Sequence, residues 1–420
     1  MTTIAYIANQ FPSPIEPYVI DEINELRRRG VKVICCSGKR VSPKTLNLAE
    51  RAFWKETRYF QPLSDEQLMR AGRRLATKRR DLWHLLRPLI LDRTASASLR
   101  IRALGHTLMG AALADQLAPL EVEHIHCHHG YFASWMALVA ARLLGVDFSF
   151  TLHGSDLLHR GDFLDAKLRA CKFCVTVSEF NRQYIFRKYP ATPAAKVVVQ
   201  RLGVDPVGPR LSTLAAGAQE HRPFCLLAVG RLHPVKDYAF LIEACAALRR
   251  QGFDFMCWIV GEGPERPALE RQIAKRGLQG HVHLVGQVPR DQVAGYYSHA
   301  DLIVMTSKSE GIPVVLMEAM AQGKVVLAPD ITGIPELVEH ERTGFLYQSG
   351  SLDSFANSIR WIYANQEVVA GIRRAAAAKV ADSFHRQRNV RAFAEGFLAR
   401  ISETGGEYEN SVLQQVRLSV

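Results

Sequence analysis

The feature that most limits what this chain can fold into is a repeated alternation of short apolar runs with helical segments. Near the beginning, residues 4–8 read as a buried strand, residues 18–29 as a helix, and residues 31–36 as a second strand. A strand, a helix and a strand in this order favour a parallel, doubly wound α/β sheet. A second series of the same kind begins with a predicted strand at 224–229. The two separate series predict two Rossmann-like domains rather than one extended sheet.

The length of 420 residues agrees with this division, because a chain of this size exceeds one ordinary hydrophobic core. We predict a first domain over residues 1–205 and a second domain over residues 224–395. The segment between them, 206–223, is rich in Pro, Gly, Ala and Ser and is predicted to be a linker.

The sequence also bears on compartment. The opening residues lack a basic segment ahead of an apolar one, so we expect no signal peptide. The most apolar long stretch, 131–150, is interrupted by Arg142 and Asp147, so we expect no membrane span. The eight cysteines mostly lie within apolar runs, which favours reduced, buried thiols in a cytoplasmic protein. Cys171 and Cys174 have no second pair at the spacing of a structural zinc site.

The formal net charge of +12 indicates an acidic partner, and the charge is concentrated in one segment. Between Glu66 and Arg102 there are ten Arg or Lys and three Asp or Glu, a local excess of seven. Residues 65–91 are predicted to be helical, and the basic insertion at 65–102 has the amphipathic pattern of a helix at an anionic membrane surface. The alternative is a helix packed on its own domain with a solvated basic face. No nucleic-acid-binding module is recognised, so no nucleic acid partner is expected.

A first group of candidate site residues lies within residues 300–330, which read as a strand, a polar loop, a helix and a further strand. Glu310 lies in the loop, and Glu318 follows eight positions later inside the predicted helix. The amides of Gly311 and Ile312 lie at the helix start, where partial positive charge favours a phosphate or a sugar oxygen. Two solvated glutamates are the alternative interpretation.

A second group follows the predicted strand 224–229. Gly230 at the strand end lets a phosphate approach the main chain closely. Arg231 offers a planar fork to phosphate oxygens, and Lys236 offers a compact point charge. Ordinary surface cations are the alternative.

Histidines mark the first domain. On a strand, His124, His126 and His128 would share one face, but no carboxylate is spaced to complete a metal site, so we predict no metal. His153 follows the predicted strand 148–152 and precedes a glycine, which places its imidazole at the carboxyl edge of the sheet.

These motifs resemble a known family. Glu310 and Glu318 reproduce the glutamate–seven residues–glutamate motif of retaining, nucleotide-sugar-dependent glycosyltransferases of family four, the glycosyl transferases group 1. Residues 230–236 match the Gly-Arg-x5-Lys motif of that family. The opening loop, 9–17, is similar to that of bacterial exopolysaccharide and colanic-acid-type members, which usually carry Ser-Glu-Thr-Phe there. This chain keeps only Glu16 and replaces both hydroxyl residues.

The resemblance implies the GT-B fold, an α/β fold of two facing Rossmann-like domains with a deep interdomain cleft. Residues 396–420 would then hold the helix that crosses back to the first domain, and a tail. The implied catalytic residues are His153 at the transferred sugar, Glu310 at its ring hydroxyls, and Arg231 and Lys236 at the donor diphosphate.

The implied donor-binding residues also include Glu318 at the ribose, Val288 at the base, and the main chain of Gly230, Gly311 and Ile312. No cofactor and no metal are expected, because no Asp-x-Asp motif is present and cations and amides stand ready to neutralise the diphosphate.

The sequence thus predicts a retaining hexosyltransferase that uses a UDP- or GDP-linked sugar and a lipid-linked oligosaccharide acceptor. The expected pathway is exopolysaccharide or O-antigen (lipopolysaccharide) biosynthesis, at the inner face of the plasma membrane as a peripheral protein. Four alternatives remain open at this stage: another GT-B enzyme such as a sugar-nucleotide epimerase or a phosphorylase, a transferase acting on small molecules or other glycans, a nucleic-acid binder, and a non-catalytic relative.

Overall fold

The structure is a computed structural model that describes residues 1–13, 16–78, 82–83, 85–87, 96–159, 161–206 and 222–403. The chain divides into two compact units. Unit 1 comprises Met1–Gln200 and Val390–Val420, and unit 2 comprises Arg201–Asn389. The predicted domain boundaries stood at 205 and 395. Most of the predicted linker, 207–221, and the tail from 404 lie outside the described residues.

Unit 1 contains a parallel sheet of seven strands in the order β3-β2-β1-β4-β5-β6-β7. The strands are β1 (Thr3–Gln10), β2 (Lys32–Lys39), β3 (Arg58–Tyr59), β4 (His124–His128), β5 (Asp147–Leu152), β6 (Phe173–Thr176) and β7 (Val197–Val199). The order of the first six is that of a Rossmann fold. The predicted parallel sheet of the first domain is therefore confirmed.

The α-helices of unit 1 connect these strands. Those that the structure bounds are Pro17–Arg28, Leu48–Glu56, Asp65–Thr77, Ala97–Leu117, Phe132–Leu144, Ser155–Leu158, Leu164–Ala170 and Glu179–Lys188. The last helix among the described residues, Arg386–Ser402, belongs to unit 1 from Val390 onward. Three short 3₁₀ helices complete the list: Pro43–Thr45, Ala118–Leu120 and Ala194–Lys196.

The helix Ala97–Leu117 continues beyond residue 102, where the basic insertion was predicted to end. Apolar residues occur all round this helix, so its sequence lacks the one-sided periodicity that reveals a surface helix. It packs on Phe132–Leu144, and a Cβ at Gly110 would lie 2.8 Å from the carbonyl oxygen of Met136. Part of the predicted helix 65–91, residues 79–81, 84 and 88–91, lies outside the described residues.

Unit 2 contains a parallel sheet of six strands in the order β10-β9-β8-β11-β12-β13, again the Rossmann order. The strands are β8 (Phe224–Val229), β9 (Phe255–Val260), β10 (Val282–Gly286), β11 (Leu302–Val304), β12 (Val325–Pro329) and β13 (Phe345–Tyr347). The predicted strand at 224–229 coincides with β8. Two Rossmann-like sheets, as predicted, are confirmed.

The α-helices that the structure bounds in unit 2 are Tyr238–Arg250, Arg266–Lys275, Arg290–His299, Val314–Ala321, Ile334–Leu337, Leu352–Ala364 and Gln366–Ser383. A 3₁₀ helix, Pro234–Lys236, follows β8. No helix in the described part of the chain is long and apolar enough to cross a membrane. All eight cysteines are unpaired and buried, which confirms the prediction of reduced, buried thiols.

Candidate active site

The shared strand order fixes where a ligand would bind in each unit. In a Rossmann sheet, connections leave in opposite directions from the first and fourth strands, which opens a crevice at their carboxyl ends. These strands are β1 and β4 in unit 1, and β8 and β11 in unit 2. Lys236 and Glu310 follow β8 and β11, whereas His153 follows β5 and Val288 follows β10.

In unit 2, the main chain after β8 is tightly packed around Gly230. A Cβ at Gly261 would lie 1.9 Å from the carbonyl oxygen of Gly230, and Gly261 has φ of 148°. Only glycine satisfies both conditions at this position, because any side chain would displace the loop. The loop that carries Arg231 is therefore held against the end of β9 by main-chain contact, and Arg231 itself is exposed.

Lys236 and Glu310 form the strand-end pair of unit 2. Lys236 Nζ lies 2.5 Å from Glu310 Oε1, and the side chains are 22% and 13% exposed. Thr306 Oγ1 donates a hydrogen bond of 2.9 Å to the carbonyl of Lys236, and the Lys308 amide donates one of 2.8 Å to Val235. The loops after β8 and β11 are thus bonded together, and their cation and carboxylate lie side by side.

The main chain at Glu310 is held by the hydroxyl of Thr332. The Glu310 amide donates a hydrogen bond of 3.2 Å to Thr332 Oγ1. Thr332 has φ of 47°, in the left-handed region that a β-branched residue rarely adopts. Backbone strain of this kind persists where the surrounding structure enforces it, which is frequent at ligand sites.

The remaining predicted residues of unit 2 lie on adjoining elements. Gly311 and Ile312 are buried just before the helix Val314–Ala321, whose N-cap is Pro313. Glu318 lies inside this helix and accepts a hydrogen bond of 3.2 Å from Tyr297. Val288 follows β10 and is half-buried. The structure therefore joins Lys236 to Glu310 directly, whereas Glu318 bonds to Tyr297.

In unit 1 the carboxyl ends of β1, β4 and β5 carry a group of polar side chains that we name the strand-end cluster. Its members are Tyr6, Glu16, Glu22, His128, His129, His153 and Asp156. His153 was predicted as a site residue and Glu16 as part of the opening loop. The others were not assigned roles. For His128 and Glu22 the reason is distance along the chain, because their contact joins positions 106 residues apart.

One branch of the cluster surrounds His129, whose φ of 71° is left-handed. Its Nε2 lies 2.6 Å from Glu16 Oε1, and its Nδ1 lies 3.6 Å from Asp156 Oδ2. Burial disfavours the charged imidazolium, but the two carboxylates outweigh burial and raise the pKa of His129 to about 10. Burial alone would raise the pKa of Asp156, and the hydrogen bond and charge of His129 lower it well below its ordinary value.

Asp156 also fixes the main chain around His153. It is fully buried, and its carboxylate accepts hydrogen bonds from the amides of Gly130, His153 and Gly154. Burial and the nearby positive charge of His129 hold the pKa of His153 well below 6.5. The imidazole of His153 is therefore neutral near physiological pH.

The other histidines of β4 pack inside unit 1. His126 bonds through Nδ1 to Ser149 at 2.8 Å and through Nε2 to Thr151 at 3.0 Å, and its ring meets Phe397 edge-on. His124 bonds to Ser149 at 2.7 Å. Burial lowers the pKa of His124 to about 3 and that of His126 well below 6.5. Among the described residues, no group of three or more His, Cys, Asp or Glu side chains is placed to hold a metal ion.

Two protein-family models match the chain. The model described as "Glycosyl transferases group 1" matches residues 214–379, and "Glycosyltransferase Family 4" matches residues 99–207. Over these two segments the chain is similar to glycosyltransferase family 4. The first match contains the strand-end pair, and the second contains four members of the strand-end cluster: His128, His129, His153 and Asp156.

Similar curated proteins come from polysaccharide biosynthesis. The chain is 35% identical over 209 residues to the amylovoran biosynthesis glycosyltransferase AmsK of Erwinia amylovora, covering 48% of this chain and 51% of AmsK. It is 33% identical over 202 residues to the putative colanic acid biosynthesis glycosyltransferase WcaL of Escherichia coli K12, covering 46% and 49%. The chain thus spans about half the length of the curated relatives it matches.

One similar solved structure aligns with nearly the whole length of this chain. HepE of Anabaena, in complex with UDP and glucose, superposes with a TM-score of 0.68 at 20% identity, covering 95% of this chain and 100% of HepE. At this identity the likeness establishes the fold alone. Together with the two parallel sheets, it confirms the predicted GT-B fold class, whereas the predicted roles of the site residues stay predictions.

Proposed function

We propose that this protein is a retaining glycosyltransferase that moves a hexosyl unit from a UDP- or GDP-linked sugar to a lipid-linked oligosaccharide. The observation that carries the proposal is the strand-end pair, Lys236 and Glu310, at the switch point of the unit 2 sheet beside a helix start. The HepE structure in complex with UDP and glucose supports a nucleotide-sugar donor. The names of AmsK and WcaL support exopolysaccharide biosynthesis. O-antigen (lipopolysaccharide) assembly is the second pathway that we propose.

In the proposed reaction the diphosphate is neutralised by Arg231, Lys236 and the amides of Gly311 and Ile312, with no metal or other cofactor. Gly230 lets the phosphates approach, and Val288 contacts the base.

Sugar recognition is assigned to the carboxylates and to one imidazole. Glu310 accepts from hydroxyls of the transferred sugar, Glu318 accepts from the ribose, and His153 contacts the transferred sugar. The acceptor oxygen bonds to the anomeric carbon from the face that the diphosphate leaves. The carbon–oxygen bond to the diphosphate breaks with its electron pair on the leaving group, whose phosphate oxygen takes the proton of the acceptor hydroxyl. The anomeric configuration is retained.

The lipid-linked acceptor places the protein at the cytoplasmic face of the plasma membrane as a peripheral protein. The basic segment of unit 1 exposes large apolar side chains, which supports contact with an anionic surface. These side chains are Met69, Trp83, Ile101 and Leu104, each at least 46% exposed. Flotation with vesicles of anionic lipid at low salt tests this contact: wild type should float, and the variant Trp83→Ser, Ile101→Ser should not. Failure of wild type to float would refute membrane contact and leave the donor site untouched.

The donor site is tested by thermal shift with UDP, GDP, ADP and their sugars in EDTA. One nucleotide should raise the Tm of the wild type, and Lys236→Ala should lose the shift, because a charge-assisted hydrogen bond contributes about 1.5–3 kcal/mol. Lys379→Ala is the matched control, since Lys379 pairs with Glu339 in the same unit at 2.7 Å and has no proposed role. An equal shift in Lys236→Ala, or no shift with any nucleotide, would contradict the proposal.

A second candidate is transfer to a small-molecule acceptor. The chain is 25% identical over 321 residues to the 2-deoxystreptamine glucosyltransferase of Streptomyces kanamyceticus, covering 70% of this chain and 82% of that protein. Product analysis with the nucleotide sugar that binds separates the two candidates, and NMR of the product's anomeric proton tests retention.

A further inference from the structure

The second branch of the strand-end cluster is a line of three side chains that ends at His153. Glu22 Oε2 lies 2.9 Å from His128 Nε2, and His128 Nδ1 lies 3.0 Å from His153 Nε2. Glu22 is 4% exposed and His128 is fully buried. Tyr6 donates its hydroxyl hydrogen to the same oxygen of Glu22. A buried carboxylate thus reaches His153 through one imidazole.

The hydrogen atoms of this line can be placed from its geometry. A carboxylate only accepts, so a hydrogen bond between Glu22 and His128 requires the hydrogen on Nε2 of His128. Tyr6 Oη lies 2.9 Å from the same Nε2 and, because its own hydrogen goes to Glu22, also accepts from it. A neutral imidazole has one N–H, so Nδ1 of His128 then carries a lone pair and accepts from His153. His153 therefore carries its hydrogen on Nε2, and its Nδ1 carries a lone pair. With both rings neutral, this is the only arrangement in which every contact of the line is a hydrogen bond.

We propose that Glu22 and His128 are positioning residues that hold His153 in the Nε2-protonated tautomer, so that Nδ1 accepts a hydrogen bond from a substrate hydroxyl. The substrate part rests on the proposed function, whereas the tautomer part does not. Two rings pack around His153, with the Tyr18 ring centroid 4.9 Å away and the His129 ring centroid 4.7 Å away. The charged His129, beside Glu16 and Asp156, opposes a second charge on His153.

Neighbouring histidines on the same strand show what a purely packing role looks like. His124 and His126 bond to neutral hydroxyls of β5, and their rings lie against Phe397. His128 instead contacts a carboxylate and a second imidazole. Burying the Glu22 carboxylate costs free energy unless it makes specific hydrogen bonds. Its burial therefore indicates a role beyond packing.

The tautomer is measured directly by 15N NMR of histidine-labelled full-length protein in alkaline buffer, with His153 assigned from the loss of its signals in His153→Gln. Wild type should show the hydrogen of His153 on Nε2. In Glu22→Gln the amide can donate to His128 Nε2, which moves the hydrogen of His128 to Nδ1 and reverses the tautomer of His153. Glu25→Gln is the matched control on the same helix, because Glu25 pairs with Arg28 and Arg29, and it should match wild type.

Hydrogen on Nδ1 of His153 in wild type, or an unchanged tautomer in folded Glu22→Gln, would overturn the inference. If Glu22→Gln does not fold, the wild-type spectrum still decides the tautomer.

Kinetics test the substrate part. Glu22→Gln should lower kcat about tenfold or more, as expected for a lost hydrogen bond to substrate, while the nucleotide thermal shift stays at the wild-type value. A wild-type kcat in Glu22→Gln would overturn the substrate part. If the wild-type protein binds none of the nucleotides, the proposed function is refuted, and the tautomer result still stands.

Discussion

The strand ends of the two units share one topology and differ in chemistry. In unit 1, the carboxyl ends of β1 and β4 carry buried polar groups that bond to one another, with Asp156 and His128 fully buried. In unit 2, the corresponding ends of β8 and β11 carry a partly exposed ion pair, an exposed Arg231 and close-packed glycine main chain. The polar groups of unit 1 bond mainly to one another, whereas the charged groups of unit 2 are partly exposed to solvent.

This difference separates two uses of charge. Buried charges must be paired, and removing one partner leaves the other without compensation, so the strand-end cluster supports the fold of unit 1. Partly exposed charges contribute little to folding and are free to exchange partners, so the strand-end pair of unit 2 suits a diphosphate or a sugar. We therefore expect removal of a buried charge in unit 1, such as that of Asp156, to change mainly stability, and removal of a charge in unit 2 to change mainly donor binding and turnover.

The largest expected effect comes from removing one carboxylate charge in each unit. Asp156→Asn should destabilise unit 1 by about 3–5 kcal/mol, because His129 loses a buried partner and one amide acceptor is replaced by a donor. Glu310→Gln should change the stability of unit 2 by less than about 1 kcal/mol. It should lower turnover at least tenfold if Glu310 holds the transferred sugar. Hydrogen exchange resolved by peptide measures the two units separately.

Asp165→Asn is the control in unit 1, since Asp165 forms an exposed pair with Arg169 one helical turn away. Its exchange rates should stay close to wild type. Equal destabilisation by Asp156→Asn and Glu310→Gln would remove the distinction between the buried polar groups of unit 1 and the partly exposed charges of unit 2.

Features that depend only on residues close together along the chain could be predicted from the sequence. A short pattern of apolar residues, glycine and charge was enough to predict β8, the loop with Arg231 and Lys236, and the loop with Glu310. The contact of Glu22 with His128 spans 106 positions, and it depends on the register in which Tyr6 pairs with His126 between β1 and β4. No local pattern encodes that register. The helix Ala97–Leu117 was missed for another reason, because apolar residues cover all of its sides.

An intermediate effect concerns pH, since every fully buried histidine among the described residues belongs to unit 1. The folded pKa of His124 is about 3 against an ordinary 6.5, so folded unit 1 binds fewer protons than the unfolded chain between these values. Its free energy of unfolding should therefore fall by about 1–3 kcal/mol as pH drops from 6.5 towards 4. The raised pKa of His129 adds stability that is complete below 6.5 and is lost as pH rises towards 10.

Hydrogen exchange of unit 1 peptides across this pH range checks the acid branch. His126→Gln should make the dependence shallower, because it removes one imidazole that the folded state keeps neutral. His340→Gln in unit 2 is the control, since His340 is exposed. A pH dependence that is equal in the two units would contradict the comparison.

The smallest expected effect is that of substituting Thr332. It separates the positioning of the Glu310 loop from the stability of unit 2. Thr332→Gly removes the hydroxyl that accepts the Glu310 amide, which costs about 1 kcal/mol, and relieves a left-handed φ that costs a similar amount. Stability should then stay within about 1 kcal/mol of wild type, while turnover falls several-fold because the Glu310 loop loses its support. Thr332→Ser keeps the hydroxyl and should retain wild-type turnover in steady-state assays. Loss of stability without loss of turnover in Thr332→Gly would show that the left-handed residue supports the fold rather than the position of Glu310.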